Sequence, residues 1–195
     1  GTLEEIRRVV TEYPDRDIKW CVQNGKGKGD AVRKGFARAI GEVLMILDAD
    51  LTVSPEELPK FYDALIREPR ACINGCRLTY KMDKKAMGYL AWMANYFFGY
   101  LISYITRQKV TDTLCGTKVL WKKDYEQIAL NRKKLGIHDP FGDFDLLFGA
   151  ANLKLRIIDV PIHYKARSYG KTNIKRFKEV WFLLWMCFRA WWRLR

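Results

Sequence analysis

The sequence is poor in the residues that build metal-stapled or disulfide-stapled folds. Its 195 residues hold two histidines, His138 and His163, and five cysteines. The cysteines (Cys21, Cys72, Cys76, Cys115, Cys187) are odd in number, scattered, and form no CxxC pair. That argues against a disulfide framework and against a structural zinc site. The expectation is reduced, mostly buried thiols facing a cytoplasm-like compartment. The phosphate-binding pattern GxxxxGK[ST] is missing, and so is GxGxxG in a strand-turn-helix frame. No RNP, helix-turn-helix or zinc-finger pattern occurs, and no internal repeat or low-complexity stretch. The low hydrophobicity that marks disorder is lacking too, since 49% of residues are apolar and 14% aromatic. Acidic residues are the scarcer charge: 22 Asp+Glu stand against 35 Lys+Arg, a formal net charge of +13. The length suits one domain with an appended segment. The charge asks for a polyanionic partner: nucleic acid, anionic lipid or a phosphorylated substrate.

The chain opens directly on a helical pattern, with Leu3, Ile6, Val9, Val10 and Tyr13 at helix spacing and Thr2 with Glu5 as a capping box. No initiator Met, signal peptide or leading strand precedes it, so the sequence is expected to be a piece of something longer. Ile18–Val22 reads as a strand. The glycine-rich loop Gly25–Asp30 leads into a helix over Ala31–Ile40, capped by Asp30 and stopped by Gly41. Glu42–Leu47 is a buried strand by composition, and it ends in Asp48-Ala49-Asp50. Ser54, Pro55 and Glu57 open a further helix, and Ala71–Gly75 is a further strand. Alternating strands and helices indicate an α/β layered fold with a mostly parallel sheet.

The second half changes character. Ala86–Ile105 is a 20-residue stretch without a charged side chain. Its length would let it span a bilayer, which takes about 20 residues. Its Asn95, Ser103, two glycines and four tyrosines favour a helix buried on the protein or lying in a membrane interface. Lys118–Trp121 reads as a strand, Phe144–Ala151 as a helix, and Leu155–Ile162 as a strand interrupted by Pro161. His163 then reads as a packed strand residue and His138 as a loop residue. In Asn173–Arg195, Ile174, Phe177, Trp181, Leu184, Phe188 and Trp191 or Trp192 share one helical face, with Lys175, Arg176 and Lys178 off it. This is the pattern of an amphipathic helix in a bilayer interface; the alternative is a helix packed on its own domain or on a partner.

Asp48-Ala49-Asp50 at the exit of a buried strand is the sharpest local signal. Ligands of open α/β sheets bind beyond the carboxyl ends of strands. Two carboxylates two residues apart can hold a hard cation, Mg²⁺ or Mn²⁺, which in turn clamps a diphosphate. The amides and lysines of the Gly25–Gly29 loop, with the following helix N-terminus, can face phosphate; the loop can equally be a solvated turn.

These elements together resemble glycosyltransferase family 2 with the GT-A fold. The resemblance is carried by Gly25-Lys26-Gly27-x-Gly29-Asp30-Ala31-x-x-x-Gly35, Gly41-Glu42 and the strand ending Leu47-Asp48-Ala49-Asp50. Thr111-Asp112-Thr113-x-Cys115-Gly116-x-Lys118 and Ala166-Arg167-Ser168-Tyr169-Gly170-Lys171-Thr172 are similar to motifs of dolichol-phosphate-mannose-synthase-like enzymes. Phe141-Gly142-Asp143-Phe144-Asp145 stands in the place of the family's acidic acceptor-side motif. Gly1-Thr2 resembles the end of the family's first aspartate-rich segment, which would place an initial strand–helix–strand portion, with half of the nucleotide site, outside this sequence.

The resemblance implies a Rossmann-like catalytic domain over 1–172 and a basic aromatic juxtamembrane helix over 173–195. It implies an inverting transfer from a nucleotide-diphosphate sugar. Asp48 and Asp50 would hold the metal. Gly25, Lys26, Gly27, Asp30, Asp48, Asp50, Arg77, Cys115 and Lys118 are the expected contacts to the nucleotide sugar and to phosphate. Arg77, after the Asn74-Gly75-Cys76 turn, would meet an acceptor phosphate. Arg167 and Lys171 would close over the phosphates. Asp143 and Asp145, if helical, lie about 200° apart, so one of them faces the site. Asp143 is the expected base, unless it caps the following helix, and Asp112 would orient acceptor or metal.

The acceptor is expected to be a lipid phosphate at the cytoplasmic face of a membrane. The alternatives are a hydroxyl of a soluble or cell-surface glycan, and a basic nucleic-acid-binding module. Charge placement favours the membrane. From Lys165 to Arg195 there are nine Lys/Arg and one acidic residue, Glu179, so +8 of the +13 lies in the last 31 residues. That concentration does not resemble a nucleic-acid footprint, and no nucleic-acid partner is expected.

Overall fold

The computed structural model describes residues 1–80, 88–136, 139–165 and 176–195. Helix α1 spans Thr2–Glu12, with Gly1 in the cap position that the sequence pattern assigns to Thr2. Helix α2 spans Lys28–Arg38, and strand β1 is Val43–Met45. A 3-10 turn over Pro55–Glu57, with Ser54 at its N-cap, runs into helix α3, Leu58–Arg67. Strand β2 is Ala71–Cys76, helix α4 Tyr89–Thr106 and strand β3 Lys118–Trp121. Helices α5, Lys122–Leu135, and α6, Asp143–Asn152, precede strand β4, Arg156–Pro161, and helix α7, Arg176–Leu194.

The class is α/β, with a four-stranded sheet in the order β1-β3-β2-β4. The pair β2–β4 is parallel, while β3 runs antiparallel to both β1 and β2. Three strands therefore share one direction. The expected mostly parallel pairing is corrected to a mixed one because the reversed β3 is inserted between β1 and β2. Side chains alternate across the sheet with a period of two. Ala71, Ile73 and Val119 pack with Phe61 and Leu65 of α3 on one face. On the other, Cys72 meets Phe98 and Ile102 of α4, Phe144 and Phe148 of α6, and Met186 and Ala190 of α7. Phe36 of α2 joins Leu44, Leu120, Tyr125 and Ile128 in a third cluster. Helices thus cover both faces of the sheet.

Several expected boundaries move. Ile18–Val22 is not a strand: no strand lies alongside it among the described residues, and Ile18, Trp20 and Val22 are exposed. Helix α2 starts three residues early, at Lys28, because Gly27 adopts a φ of +84° as its N-cap; Asp30 lies inside the first turn. The helix ends at Arg38, where Ala39 turns extended, two residues short of the expected end at Ile40. Asn74-Gly75 is not a turn but part of β2, which is buried throughout. Pro161 is the last paired residue of β4 and does not interrupt it. Among the described residues, no helix is long and apolar enough to cross a membrane. The expected boundary at 172–173 lies outside the described residues, as does His138. The five thiols are free, and four of them are buried. His163 is exposed; it stacks on Tyr80 at 4.2 Å and pairs with Glu57 at 3.1 Å.

Candidate active site

The pairing of β1 with β3 runs on beyond Met45, since Ile46 N–H donates to the Lys118 carbonyl at 3.0 Å. The chain then turns sharply at Asp48-Ala49-Asp50-Leu51, with Leu51 N–H donating to the Asp48 carbonyl at 3.1 Å. Leu51 adopts a φ of +50°, a left-handed conformation that a branched side chain resists. Such backbone strain is a feature of ligand-binding turns. The Asp50 carboxylate accepts from the Thr52 amide at 3.2 Å and from its hydroxyl at 2.9 Å, which shapes the turn. The Asp48 carboxylate accepts from the Lys28 ammonium at 2.8 and 2.9 Å through its two oxygens.

Three further elements converge on this pair. Gly116 lies directly beneath it: a Cβ there would stand 2.1 Å from Asp48 Oδ2 and 2.2 Å from Lys28 Nζ. Lys118, the first residue of β3, is fully buried, donates to the Cys115 carbonyl, and lies 3.6 Å from Asp143 Oδ1. Asp143, the first residue of α6, is buried, and its Oδ1 has no hydrogen-bond partner among the described residues. Burial pushes the Asp143 carboxyl up. The cations Lys118 and Lys28 pull it back, and Asp139 and Asp48 push it up further. Burial works against the charge on Lys28, but Asp143 and Asp48 outweigh it, and its ammonium is held above the ordinary range. Two cations and two carboxylates thus alternate between the β1 turn and α6.

Asp143 does not cap α6. That task falls to Asp139, which sequence reasoning missed. Asp139 accepts from the amides of Phe141 at 2.8 Å, Phe144 at 2.8 Å and Asp145 at 3.2 Å. Asp145 turns the other way and bridges to Arg132 of α5 at 2.7 Å. The two aspartates of α6 therefore diverge, as their helical spacing requires.

The glycine loop has a packing explanation. Gly29 N–H donates to the Pro140 carbonyl at 2.8 Å. A Cβ on Gly29 would stand 2.4 Å from the Asp139 carbonyl oxygen, and one on Gly27 would stand 2.7 Å from that of Pro140. The loop thus lies against residues 139–142 and brings the start of α2 to the start of α6. Gly25 N–H donates to Asp30 at 2.7 Å, and Lys26 is exposed. Of the two loop lysines it is Lys28, not Lys26, that reaches the carboxylates. Both fit phosphate by type; helix phase at the α2 start is the signal that separates them.

Arg77 and Asp112 form a second buried cluster. The Arg77 guanidinium donates to both Asp112 oxygens at 2.7 Å, and the Arg77 amide adds a bond at 2.9 Å. Asn95 of α4 donates to the same carboxylate at 2.7 Å and accepts from the Thr113 amide at 3.1 Å. Burial opposes the Asp112 charge, but Arg77 wins and holds the carboxyl below the ordinary range. In this structure both groups are engaged with each other. Cys115 is buried close to Gly75, and burial raises its thiol to about 11, so it stays protonated at neutral pH. Arg167 and Lys171 lie outside the described residues.

The donor chemistry of the β1 turn suits a hard divalent cation. Asp48 and Asp50 offer carboxylate oxygens from one turn, and the position in front of Asp48 already holds a positive charge. Among the described residues, no group of three or more His, Cys, Asp or Glu converges as a ready-made cage. A site of one or two carboxylates completed by phosphate oxygens and water is the kind Mg²⁺ takes.

On the far side of α4 and α7 lies an apolar groove of about 420 Å³ lined by Leu101, Tyr104, Ile105, Leu184, Phe188 and Trp191. Elsewhere on the same two helices, Tyr89, Trp92, Tyr96, Phe97 and Tyr100 of α4 and Trp181, Trp185 and Trp192 of α7 are exposed, as is Phe188 of the groove. Arg195 lies over the rings of Trp191 and Tyr104. Exposed apolar surface of this extent marks an interaction face.

Comparison with known proteins agrees with this geometry. Residues 1–146 match the family model described as glycosyl transferase family 2. The chain is 29% identical over 197 residues to a dolichyl-phosphate beta-glucosyltransferase of Mus musculus, covering 95% of this chain and 58% of that protein. It is 27% identical to the Homo sapiens protein of the same name, with the same coverage. A dolichol-phosphate mannosyltransferase of Pyrococcus furiosus is 36% identical over 64 residues, 33% of this chain and 18% of that protein. The chain thus spans 58% of the length of the two dolichyl-phosphate relatives. A family match that covers most of the chain and contains both the β1 turn and the start of α6 decides the assignment: this chain belongs to glycosyl transferase family 2.

Proposed function

We propose that the protein moves a sugar from a nucleotide-diphosphate sugar to a lipid phosphate at a membrane surface. The observation that carries this is the Asp48–Lys28–Asp143–Lys118 constellation at the end of β1, in a family 2 chain several of whose matched relatives are named for dolichyl or dolichol phosphate. In a single displacement, a phosphate oxygen of the acceptor attacks the anomeric carbon. The bond from that carbon to the diphosphate oxygen breaks, its electron pair leaves with the nucleotide diphosphate, and the configuration inverts.

A phosphomonoester acceptor has a second pKa of about 6 and is mostly dianionic at neutral pH, so no proton has to be removed. The site's task is then to stabilise charge on the leaving group. Asp48 and Asp50 would hold Mg²⁺ or Mn²⁺, which when bound neutralises the leaving diphosphate. Arg167 and Lys171 supply further positive charge to it. The Arg77–Asp112 pair fixes the chain beside β2, and the exposed aromatic face of α4 and α7, with the basic residues after Lys165, rests on the headgroups. This is peripheral attachment, at the cytoplasmic face.

One observation favours a second reading. A buried carboxyl raised as Asp143 is would suit a general base, which a sugar-hydroxyl acceptor needs. Asp143→Asn separates the two, being nearly silent with a phosphate acceptor and severe with a hydroxyl one. The experiment for the main reading is metal-dependent transfer by the full-length protein. Asp50→Ala is expected to abolish it, and undiminished transfer would refute the proposal.

A further inference from the structure

Lys28 stands in an unusual place for a cation. It is the first residue of α2, where the helix dipole favours negative charge. Its ammonium is held there by the two Asp48 oxygens at 2.8 and 2.9 Å. Asp143 Oδ1 is buried and takes no hydrogen bond among the described residues. Gly116 leaves just enough room for the Lys28–Asp48 contact, since a Cβ would overlap both partners. The ammonium therefore neutralises a carboxylate that is itself a candidate metal ligand.

We propose that Lys28 is the site's built-in counter-ion: it neutralises Asp48 until a divalent cation arrives, yields Asp48 to that cation, and turns to the donor's diphosphate. This rests on the glycosyltransferase reading above. Asp48 cannot hold an ammonium and a divalent cation at bonding distance without strong repulsion between the two cations. Displaced from Asp48, Lys28 stays beside the amide-rich start of α2, and its four-carbon stem lets the charge swing toward an anion. The exchange works in both directions. Lys28 weakens the metal, the metal weakens the Lys28–Asp48 pair, and a diphosphate that draws Lys28 away favours the metal. A lysine that merely braced the loop would show no such opposed effects.

The test measures Mn²⁺ binding to this chain by electron paramagnetic resonance, without nucleotide, for wild type, Lys28→Met and Lys28→Arg. Lys28→Met is expected to bind Mn²⁺ about tenfold tighter, the scale of ordinary coupling between ligands, while Lys28→Arg stays near wild type. At saturating Mn²⁺, the Kd for a nucleoside diphosphate (UDP and GDP, tested separately) is expected to rise several-fold in Lys28→Met. Lys28→Arg and far-UV circular dichroism guard against misfolding. Mn²⁺ binding that is unchanged or weaker in folded Lys28→Met overturns the role of Lys28 and leaves the metal reading standing. No Mn²⁺ binding by either protein overturns both.

Discussion

Asp112 receives three hydrogen bonds from Arg77 alone, two from the guanidinium at 2.7 Å and one from the backbone amide at 2.9 Å. A fourth comes from Asn95 of α4. Through this one carboxylate the end of β2, the loop before β3 and the long aromatic helix are fixed to each other. Asp112→Ala would leave the Arg77 charge buried without its partner, at a cost of about 3–5 kcal/mol. The double variant Asp112→Ala/Arg77→Met is expected to recover part of that loss. Urea unfolding of the three proteins checks this, and a double variant no more stable than Asp112→Ala would show that the pair is not the source.

The two aspartates before and at the start of α6 have opposite roles, so their substitutions differ in sign. Asp139→Ala removes the cap of α6 and is expected to cost about 2 kcal/mol. Asp143→Asn is expected to stabilise the protein at pH 7. The carboxyl of Asp143 is raised in the folded state by burial, so the folded state holds its proton more tightly than the unfolded one. Its favourable contribution is complete below the ordinary value of 3.8 and is lost as pH rises through the folded value. The advantage of Asp143→Asn should therefore shrink toward pH 4. Asp112 has the opposite linkage. Its lowered carboxyl gives stability that is present above 3.8 and lost as pH falls through the folded value. Urea titrations at pH 4 and pH 7 read both signs.

Much of this was legible in the sequence, and the exceptions share a physical cause. The β1 exit with its two aspartates, the strand at Lys118 and the tail helix are carried by local pattern, and they stand where the pattern puts them. Ile18–Val22 has the composition of a strand, but a strand also needs a neighbour to bond with. Asp139 and Asp143 are both aspartates next to a helix start; the turn over 139–142, which carries the Asp139 carboxylate back to the first amides of α6, sets which one caps, and no local spacing shows it. Arg77 and Asp112 are 35 residues apart, and no local spacing reveals their pairing. That Lys28 rather than Lys26 reaches Asp48 is likewise not local, because Gly27 starts α2 three residues earlier than Asp30 would.

Gly116→Ala should separate stability from ligand binding. The atoms nearest the added methyl are the ends of the Lys28 and Asp48 side chains, which can move aside. Their half-exposed pair is worth about 0–1 kcal/mol, so the thermal midpoint should barely change. Mn²⁺ affinity should change markedly because the Asp48 carboxylate is displaced. A large drop in the midpoint would show that Gly116 is needed for packing instead.

The aromatic face should behave as a surface that touches lipid. Trp181 and Trp192 are 75% and 70% exposed. Replacing both with serine is expected to alter stability by about 0.5 kcal/mol or less. Flotation with anionic vesicles should fall several-fold. Equal flotation of the variant and the parent would assign this face to another partner.

The most direct measurement is sugar transfer from a labelled nucleotide-diphosphate hexose by the full-length protein. It is offered a polyprenyl phosphate in one reaction and a free glycan in the other, each with and without Asp143→Asn. Label is expected in the lipid phosphate, with Asp143→Asn nearly as active as the parent. Label in the glycan hydroxyl alone, abolished by Asp143→Asn, would contradict a lipid-phosphate acceptor.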